Sequence, residues 1–276
     1  MWKTLKPTSY KPLPNWATNT KTPTNVGVFL KSYLMKKTFF LLLLCFVCEN
    51  LVANYRTFRQ SSPSIEYGVI EANPADVKLH WKNAQGVPYK SLTRLKNALE
   101  ANNQQIIMLM NAGIYDKNHQ PAGLWVEKGK ILKPLNRHKG KGNFHIQPNG
   151  VLFIQHNKAQ ILATQAYQQQ KITPQWALQS GPMLIINGKI NRQFRPTLES
   201  PHKRNAVCLT KNHRLYFVMT LQGEPNMYYF AQGLAQLGCY NALYLDGSIS
   251  NWYIPKQFNS FHWHEFVGMI SVSQKN

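Results

Sequence analysis

The sequence predicts an α+β fold: a mixed, strand-rich sheet with two or more packed helices in a single domain. Three observations predict it. Ten or more short apolar or alternating runs follow Ser64, and only two stretches keep a helical period. No Gly-Ser linker or change of composition divides residues 60–276. The 13 Tyr, 13 Phe and 7 Trp supply the large side chains such a core needs.

The elements follow in order. Ile65–Glu71 and Val77–Trp81 alternate as strands. Ser91–Ala101 places Leu92, Leu95, Ala98 and Leu99 on one face of a short helix, which Asn102-Asn103 stops. Gln105–Met110 is apolar enough to lie centrally in a sheet. Hairpins are expected next. Leu124–Glu127 and Ile131–Leu135 flank Lys128-Gly129-Lys130, and Asn143–Gln147 and Val151–Gln155 flank Pro148-Asn149-Gly150. Pro182–Ile186 and Lys189–Asn191 flank Asn187-Gly188, and Asn205–Thr210 and Leu215–Leu221 flank Lys211–Arg214. Pro225 opens a second helix with Met227, Phe230, Ala231 and Leu234 on one face, and Gly238 ends it. Ala242–Leu245 and Phe266–Val272 complete the strands.

Residues 1–53 are set apart from this domain. Met35-Lys36-Lys37, the apolar run Phe39–Cys48 and Leu51-Val52-Ala53 form the three parts of a secretory signal over residues 35–53, with an uncleaved anchor or a buried strand as the alternative. The run is shorter than the roughly 20 residues of a bilayer span. Residues 1–34, rich in Lys, Thr, Pro and Asn, read as a disordered leader or as an upstream start the working protein does not use. Residues 60–276 then form an exported domain, periplasmic or secreted, with no transmembrane span in the mature chain.

Of 32 Lys and Arg in the chain, seven lie in residues 1–53 with one of the 11 acidic residues, so the remainder stays strongly basic. Polyanionic surroundings fit that balance, as does a plain solvated surface. No nucleic-acid motif is present. Cys208 and Cys239 remain after the signal, either as a disulfide or as two buried thiols. No cysteine–histidine spacing suggests zinc. His262 and His264 share one face of an expected strand, but two ligands do not make a metal site.

Four strand ends hold the candidate chemistry, because loops on a rigid sheet commonly carry function. Asn111-Ala112-Gly113-Ile114-Tyr115-Asp116 runs from a buried strand into an amide, small residues and a carboxylate; it also reads as an Asx turn. Ser180-Gly181-Pro182 can expose backbone N–H groups to an anion, or be an ordinary loop. Arg204-Asn205-Ala206-Val207 opens a strand with a forked cation suited to phosphate, or with a surface arginine. Tyr244-Leu245-Asp246-Gly247-Ser248-Ile249-Ser250 ends one with a carboxylate, a tight bend and two hydroxyls. The domain has only three aspartates, Asp76, Asp116 and Asp246, which disfavours a two-metal phosphodiesterase.

Taken in order, these segments resemble the phosphodiester glycosidase family, whose animal member uncovers mannose 6-phosphate on lysosomal enzymes. Asn111-Ala112-Gly113-Ile114-Tyr115 looks like the family's Asn-Gly-Gly-aromatic-aromatic motif. Ser180-Gly181-Pro182-Met183-Leu184 with Asn187-Gly188-Lys189 is similar to its Gly-Pro-x-Leu…Gly-Lys segment. Arg204-Asn205-Ala206-Val207 looks like its Arg-Thr-Ala-Val/Ile strand, and Leu245–Ser250 like its Leu-Asp-Gly-Gly-Gly-Ser. Ala112, Asn205, Ser248 and Ile249 depart from the pattern, and the match is closer to small exported bacterial members.

The resemblance implies hydrolysis of a sugar-1-phosphodiester at the anomeric carbon, giving free sugar and a phosphomonoester. Ordinary glycosidases use two carboxylates, but a phosphate leaving group needs little protonation, so one carboxylate and a cation suffice. In this reading Asp246 is nucleophile or base, Arg204 grips the phosphate and Asp116 is the reserve carboxylate. Asn111, Gly113, Gly181, Asn205 and Gly247 hold sugar or phosphate oxygens, with Ser248 and Ser250 behind them. His145 is a candidate acid or sugar contact, although a lone strand histidine is commonly structural. No cofactor is required, and a divalent cation lacks support in the residues. The partner is a phosphorylated glycan or sugar phosphodiester. The rival reading is a non-catalytic binder of anionic envelope glycans.

Overall fold

The computed structural model describes residues 54–198, 200–259 and 265–275. The expected leader, the signal and the His262/His264 pair lie outside the described residues. In chain order the first elements are β1 (Asn54–Gln60), β2 (Ile65–Ala72), β3 (Val77–His80), α1 (Leu92–Ala101), β4 (Gln104–Asn111), β5 (Trp125–Glu127) and β6 (Lys130–Lys133). Then come β7 (Gly150–Gln155), β8 (Lys158–Ala163), α2 (Thr164–Gln169), β9 (Trp176–Ser180), β10 (Met183–Ile186) and β11 (Lys189–Ile190). The last are β12 (Asn205–Thr210), β13 (Leu215–Gln222), α3 (Met227–Gln236), β14 (Cys239–Tyr244), β15 (Trp252–Tyr253) and β16 (Met269–Lys275).

Strands dominate, as expected, but the single mixed sheet is not found. The strands form three sheets, ordered β1-β2-β13-β12-β14-β10-β11, β15-β4-β16-β3 and β6-β5-β9-β7-β8. Every pairing among the described residues is antiparallel. Short turns pair consecutive strands in opposite directions, whereas a parallel pair needs a long crossover. β1 also begins ahead of residue 60, where the sequence reading starts the domain.

The three sheets share one interior. Ile70, Phe217 and Val207 of the first sheet, Met108 and Ile270 of the second, and Leu152 and Leu178 of the third meet in one buried cluster. Side chains alternate along a strand, so the central strands feed two cores. Val207 and Leu209 of β12 enter the shared core, while Ala206 and Cys208 face Phe230, Ala231 and Leu234 of α3. This explains why β12 and β14 read as unbroken apolar runs. Helix α1 starts at Ser91, whose hydroxyl accepts from Arg94 N at 3.2 Å, and lays Leu92, Leu95 and Leu99 on the second sheet. Fully burying side chains of this kind stabilises by about 1.5–3 kcal/mol each.

One expected hairpin is overturned. Asn143–His145 forms a 3-10 turn instead of a strand, and Asn149-Gly150 is not a hairpin turn. Asn149 is buried with its amide donating to Phe144 O at 3.1 Å, so it braces a loop. The true turn is His156-Asn157, both at positive φ, which joins β7 to β8. Lys128-Gly129 and Asn187-Gly188 do turn as expected, each with two positive φ values. Cys208 and Cys239 are disulfide-bonded with Cα atoms 5.7 Å apart, tying β12 to β14.

Candidate active site

The ends of β4, β9 and β14 and the start of β12 meet at one place. Asn111 Nδ2 donates to the backbone oxygen of Asp246 at 2.9 Å. Asn111 Oδ1 accepts from Asn205 Nδ2 at 3.0 Å and from Asn251 N at 2.9 Å. Ser180 Oγ donates to Leu245 O at 3.3 Å and accepts from Ile114 N at 3.4 Å. All four strand ends are therefore hydrogen-bonded directly to the Asp246 loop or to one another, Asn205 through Asn111 and through Leu245 N, which donates to Asn205 O at 3.2 Å.

Asp246 stands at the centre. Its backbone oxygen is held by Asn111 and by Ser250 Oγ at 3.4 Å. Its carboxylate receives only Ser248 Oγ, at 3.3 Å, among the described residues. Burial opposes ionisation and Ser248 only partly offsets it, so the carboxyl is pushed up to about 6 from 3.8. Tyr115 lies within electrostatic reach, its phenol lifted first by burial and then by the Asp246 charge. Its ring stacks on His119, with centroids 5.6 Å apart. A desolvated carboxylate beside a tyrosine can take a proton from water or attack a carbon centre.

The expected roles of several residues change with their placement. Arg204 is fully buried. Its guanidinium donates to Pro225 O, to both oxygens of Ser200 and, at 3.1 Å, to the Tyr244 hydroxyl. Tyr244 in turn accepts from Gly247 N at 2.9 Å. Arg204 thus holds the Asp246 loop through Tyr244 and spends four of its five N–H donors on the protein. Asn111 and Asn205, 1% and 0% exposed, sit beneath the loop as buried braces. Gly113 and Gly181 serve close packing between loops: a Cβ on Gly113 would lie 2.9 Å from Ser180 Oγ, and one on Gly181 2.8 Å from Phe144 O. Gly247 has no room either, with the Tyr244 hydroxyl 2.0 Å from a Cβ position.

Asp116 closes its own turn. Its Oδ1 accepts from Asn118 N at 2.9 Å and Gln120 N at 3.1 Å, and Lys133 lies 3.8 Å from Oδ2. That is the Asx-turn alternative. His145 ends a 3-10 turn rather than lying in a strand, and its Nδ1 meets His138 O at 3.0 Å. Among the described residues no three His, Cys, Asp or Glu side chains gather as a metal site.

Three site residues went unassigned in the sequence. Ser180 and Tyr115 stand inside the quoted motifs, so their signal was position in the motif. Tyr244 opens the fourth strand-end stretch; two residues before Asp246, it shares the helix-covered face of β14 with Ala242.

The profile of the family described as phosphodiester glycosidase matches residues 104–262, which include all four strand ends. The uncharacterised Escherichia coli protein YigE is 37% identical over 219 residues, covering 78% of this chain and 85% of its own. The catalytic domain of zebrafish N-acetylglucosamine-1-phosphodiester alpha-N-acetylglucosaminidase, auto-inhibited by its pro-peptide, superposes with a TM-score of 0.52 at 14% identity, over 82% of this chain and 84% of that one. A Burkholderia pseudomallei protein described as exported gives 0.51 at 10% identity, over 76% and 74%. At those identities the likeness speaks to the fold. With its profile match spanning more than half its length and its strand ends gathered around Asp246, this chain belongs to the phosphodiester glycosidase family.

Proposed function

We propose that the chain is an exported hydrolase that cleaves a sugar-1-phosphodiester at the anomeric carbon. The observation that carries this reading is Asp246, whose backbone is fixed by Asn111 while its carboxylate is left almost unbonded at the meeting point of the strand ends. Family membership and the likeness to an N-acetylglucosamine-1-phosphodiester glycosidase support the reaction class.

Asp246 ionised takes a proton from water as the water oxygen bonds to the anomeric carbon, or attacks that carbon itself before water releases the sugar. In either course the bond from the anomeric carbon to the phosphate oxygen breaks, and the electron pair leaves with the phosphomonoester. The leaving group is already a stable anion, so no second carboxylic acid is needed. Lys203, exposed next to the buried Arg204, is the cation we assign to the departing phosphate. Arg204 keeps a positioning role through Tyr244 and Gly247. Asn111, Asn205 and Ser250 hold the loop, and Ser248 tunes the carboxylate.

Export is part of the proposal. Residues 35–53 serve as the signal, residues 1–34 lie outside the working protein, and the Cys208–Cys239 disulfide suits an oxidising compartment. No helix among the described residues is long and apolar enough to cross a membrane.

The test is hydrolysis of a nitrophenyl phosphodiester of N-acetylglucosamine 1-phosphate by the purified domain, with free sugar measured directly. Sugar release that disappears in a folded Asp246→Asn protein is expected. Unchanged release by that variant would remove Asp246 from the chemistry, and binding of phosphoglycans without any release would favour the binder.

A further inference from the structure

The positive charge of this chain is concentrated in one segment. Residues 128–223 carry 15 Lys and Arg and one acidic residue, Glu199. Residues 54–127 and 224–276 together carry ten Lys and Arg against nine acidic residues. Of residues 54–276, almost the whole excess belongs to the segment that contributes Gly181 and Arg204 to the site.

Two loops expose six of these 15 Lys and Arg. Residues 134–149 join β6 to β7 and expose Arg137, His138, Lys139 and Lys141. Residues 191–204 join β11 to β12 and expose Arg192, Arg195, His202 and Lys203. The loops touch: Asn191 Nδ2 donates to Gln147 O at 3.2 Å, and Asn143 and Ile146 share with Phe194 and Arg195 a cavity of about 380 Å³. Both border the strand ends that hold Asp246. Phe144 O packs against Gly181, and Lys203 O would lie 2.6 Å from a Cβ on Gly247.

The first loop is anchored at its base. Gln179, buried one residue before Ser180, accepts from Asn136 N at 2.9 Å and donates to Asn136 O at 2.7 Å. His145 Nδ1 lies 3.0 Å from His138 O across the loop. Among the described residues, none of the loop's cations stands within ion-pair distance of a carboxylate. Like charges held together cost stability through repulsion, and a bound polyanion offsets that cost.

We propose that these two loops form a binding face for a polyanionic glycan with repeated phosphates, which the face presents to Asp246. The choice of polyanion rests on the sugar-phosphodiester reading of the Asp246 site. Single-stranded nucleic acid fits less well, because its binders offer exposed aromatic platforms. Of the large exposed hydrophobic residues described, only Tyr240 is aromatic, and it follows Cys239 on β14 outside both loops. A membrane surface fits less well because the face is built of loops, with no amphipathic helix to lie in the interface.

The probe is long-chain inorganic polyphosphate, with binding followed by calorimetry at two salt concentrations. Saturable binding is expected, weakening roughly 50-fold between roughly 50 and 200 mM salt for about four neutralised phosphates. The triple variant Arg137→Gln/Lys139→Gln/Lys141→Gln is expected to bind at least about tenfold more weakly, with a salt slope smaller by about 2, and to keep wild-type turnover of the small nitrophenyl diester. The variant Arg56→Gln/Arg59→Gln/Lys82→Gln, away from both loops in sequence, is expected to bind as wild type does. Equal weakening by both triple variants, or none by the first, overturns the proposal. So does tighter binding of duplex DNA or of phosphatidylglycerol vesicles than of polyphosphate. Polyphosphate binding without hydrolysis of any sugar phosphodiester supports the face and sinks only the catalytic reading. Hydrolysis without polyphosphate binding does the reverse.

Discussion

Asp116 and Asp246 each follow an apolar strand and a short run of residues, and their side chains are used in opposite ways. The Asp116 carboxylate accepts two backbone N–H groups of its own turn and faces Lys133. At Asp246 it is the backbone oxygen that is tied down, by Asn111 and Ser250, while the carboxylate keeps one weak contact with Ser248. A carboxylate whose hydrogen bonds are spent on local structure is a turn residue. One whose position is fixed through its backbone is left available for chemistry.

The largest test of this contrast exchanges the two acids in turn. Asp246→Asn is expected to lower turnover by about 10²–10⁴ while stabilising the fold by about 1–3 kcal/mol at pH 7, because a carboxylate that burial resists ionising is removed. Asp116→Ala is expected to do the reverse: turnover within a few-fold, and a loss of about 1–2 kcal/mol from its turn. Urea unfolding and initial rates on the same preparations check both. Loss of turnover in Asp116→Ala with native stability would put the second carboxylate back in the chemistry.

Arg204→Ala comes next. Removing a buried cation with four hydrogen bonds to protein is expected to cost about 3–5 kcal/mol of stability. A fully stable Arg204→Ala protein with only a raised KM would instead mark Arg204 as a phosphate ligand. Opening the disulfide with Cys208→Ser/Cys239→Ser closes off the other end of the same comparison. β12 and β14, which carry Asn205 and lead into Asp246, lose their tether, and a bridge spanning 31 residues contributes about 3–4 kcal/mol. Thermal unfolding with and without reductant measures it.

Much of this was readable in advance, for physical reasons. Helix α3 could be placed because Pro225, its apolar face and Gly238 all mark it locally, and four of its five buried residues were named. The strand ends could be grouped because their motifs follow the family's order. What escaped depends on contacts distant in sequence. Strand β16 inserts between β3 and β4, a pairing no local pattern encodes. Asn149-Gly150 has hairpin chemistry, but Asn149 is bound to Phe144 and the turn passes to His156-Asn157. Arg204 carries the right charge for phosphate, and only the burial of its partners Tyr244 and Pro225 reveals that the charge points inward.

The smallest expected effect refines Asp246 alone. Ser248 is the hydrogen bond that lowers the Asp246 pKa, so Ser248→Ala should move the ionisation to higher pH and slow turnover on the acid side by less than about tenfold. The sign for stability follows from the same raised value. Below about pH 4 the carboxyl is protonated folded and unfolded alike; between 3.8 and about 6 the folded state holds its proton more tightly; above about 6 the cost of ionisation is fully present.

The central claim, that Asp246 reacts in its ionised form, is met most directly by the pH dependence of kcat/KM on the nitrophenyl phosphodiester. The prediction is a single ionisation near pH 6, with activity rising as pH rises through it and the limb moving upward in Ser248→Ala. A profile that stays flat from pH 4 to 8, or one that rises as the pH falls, would contradict it.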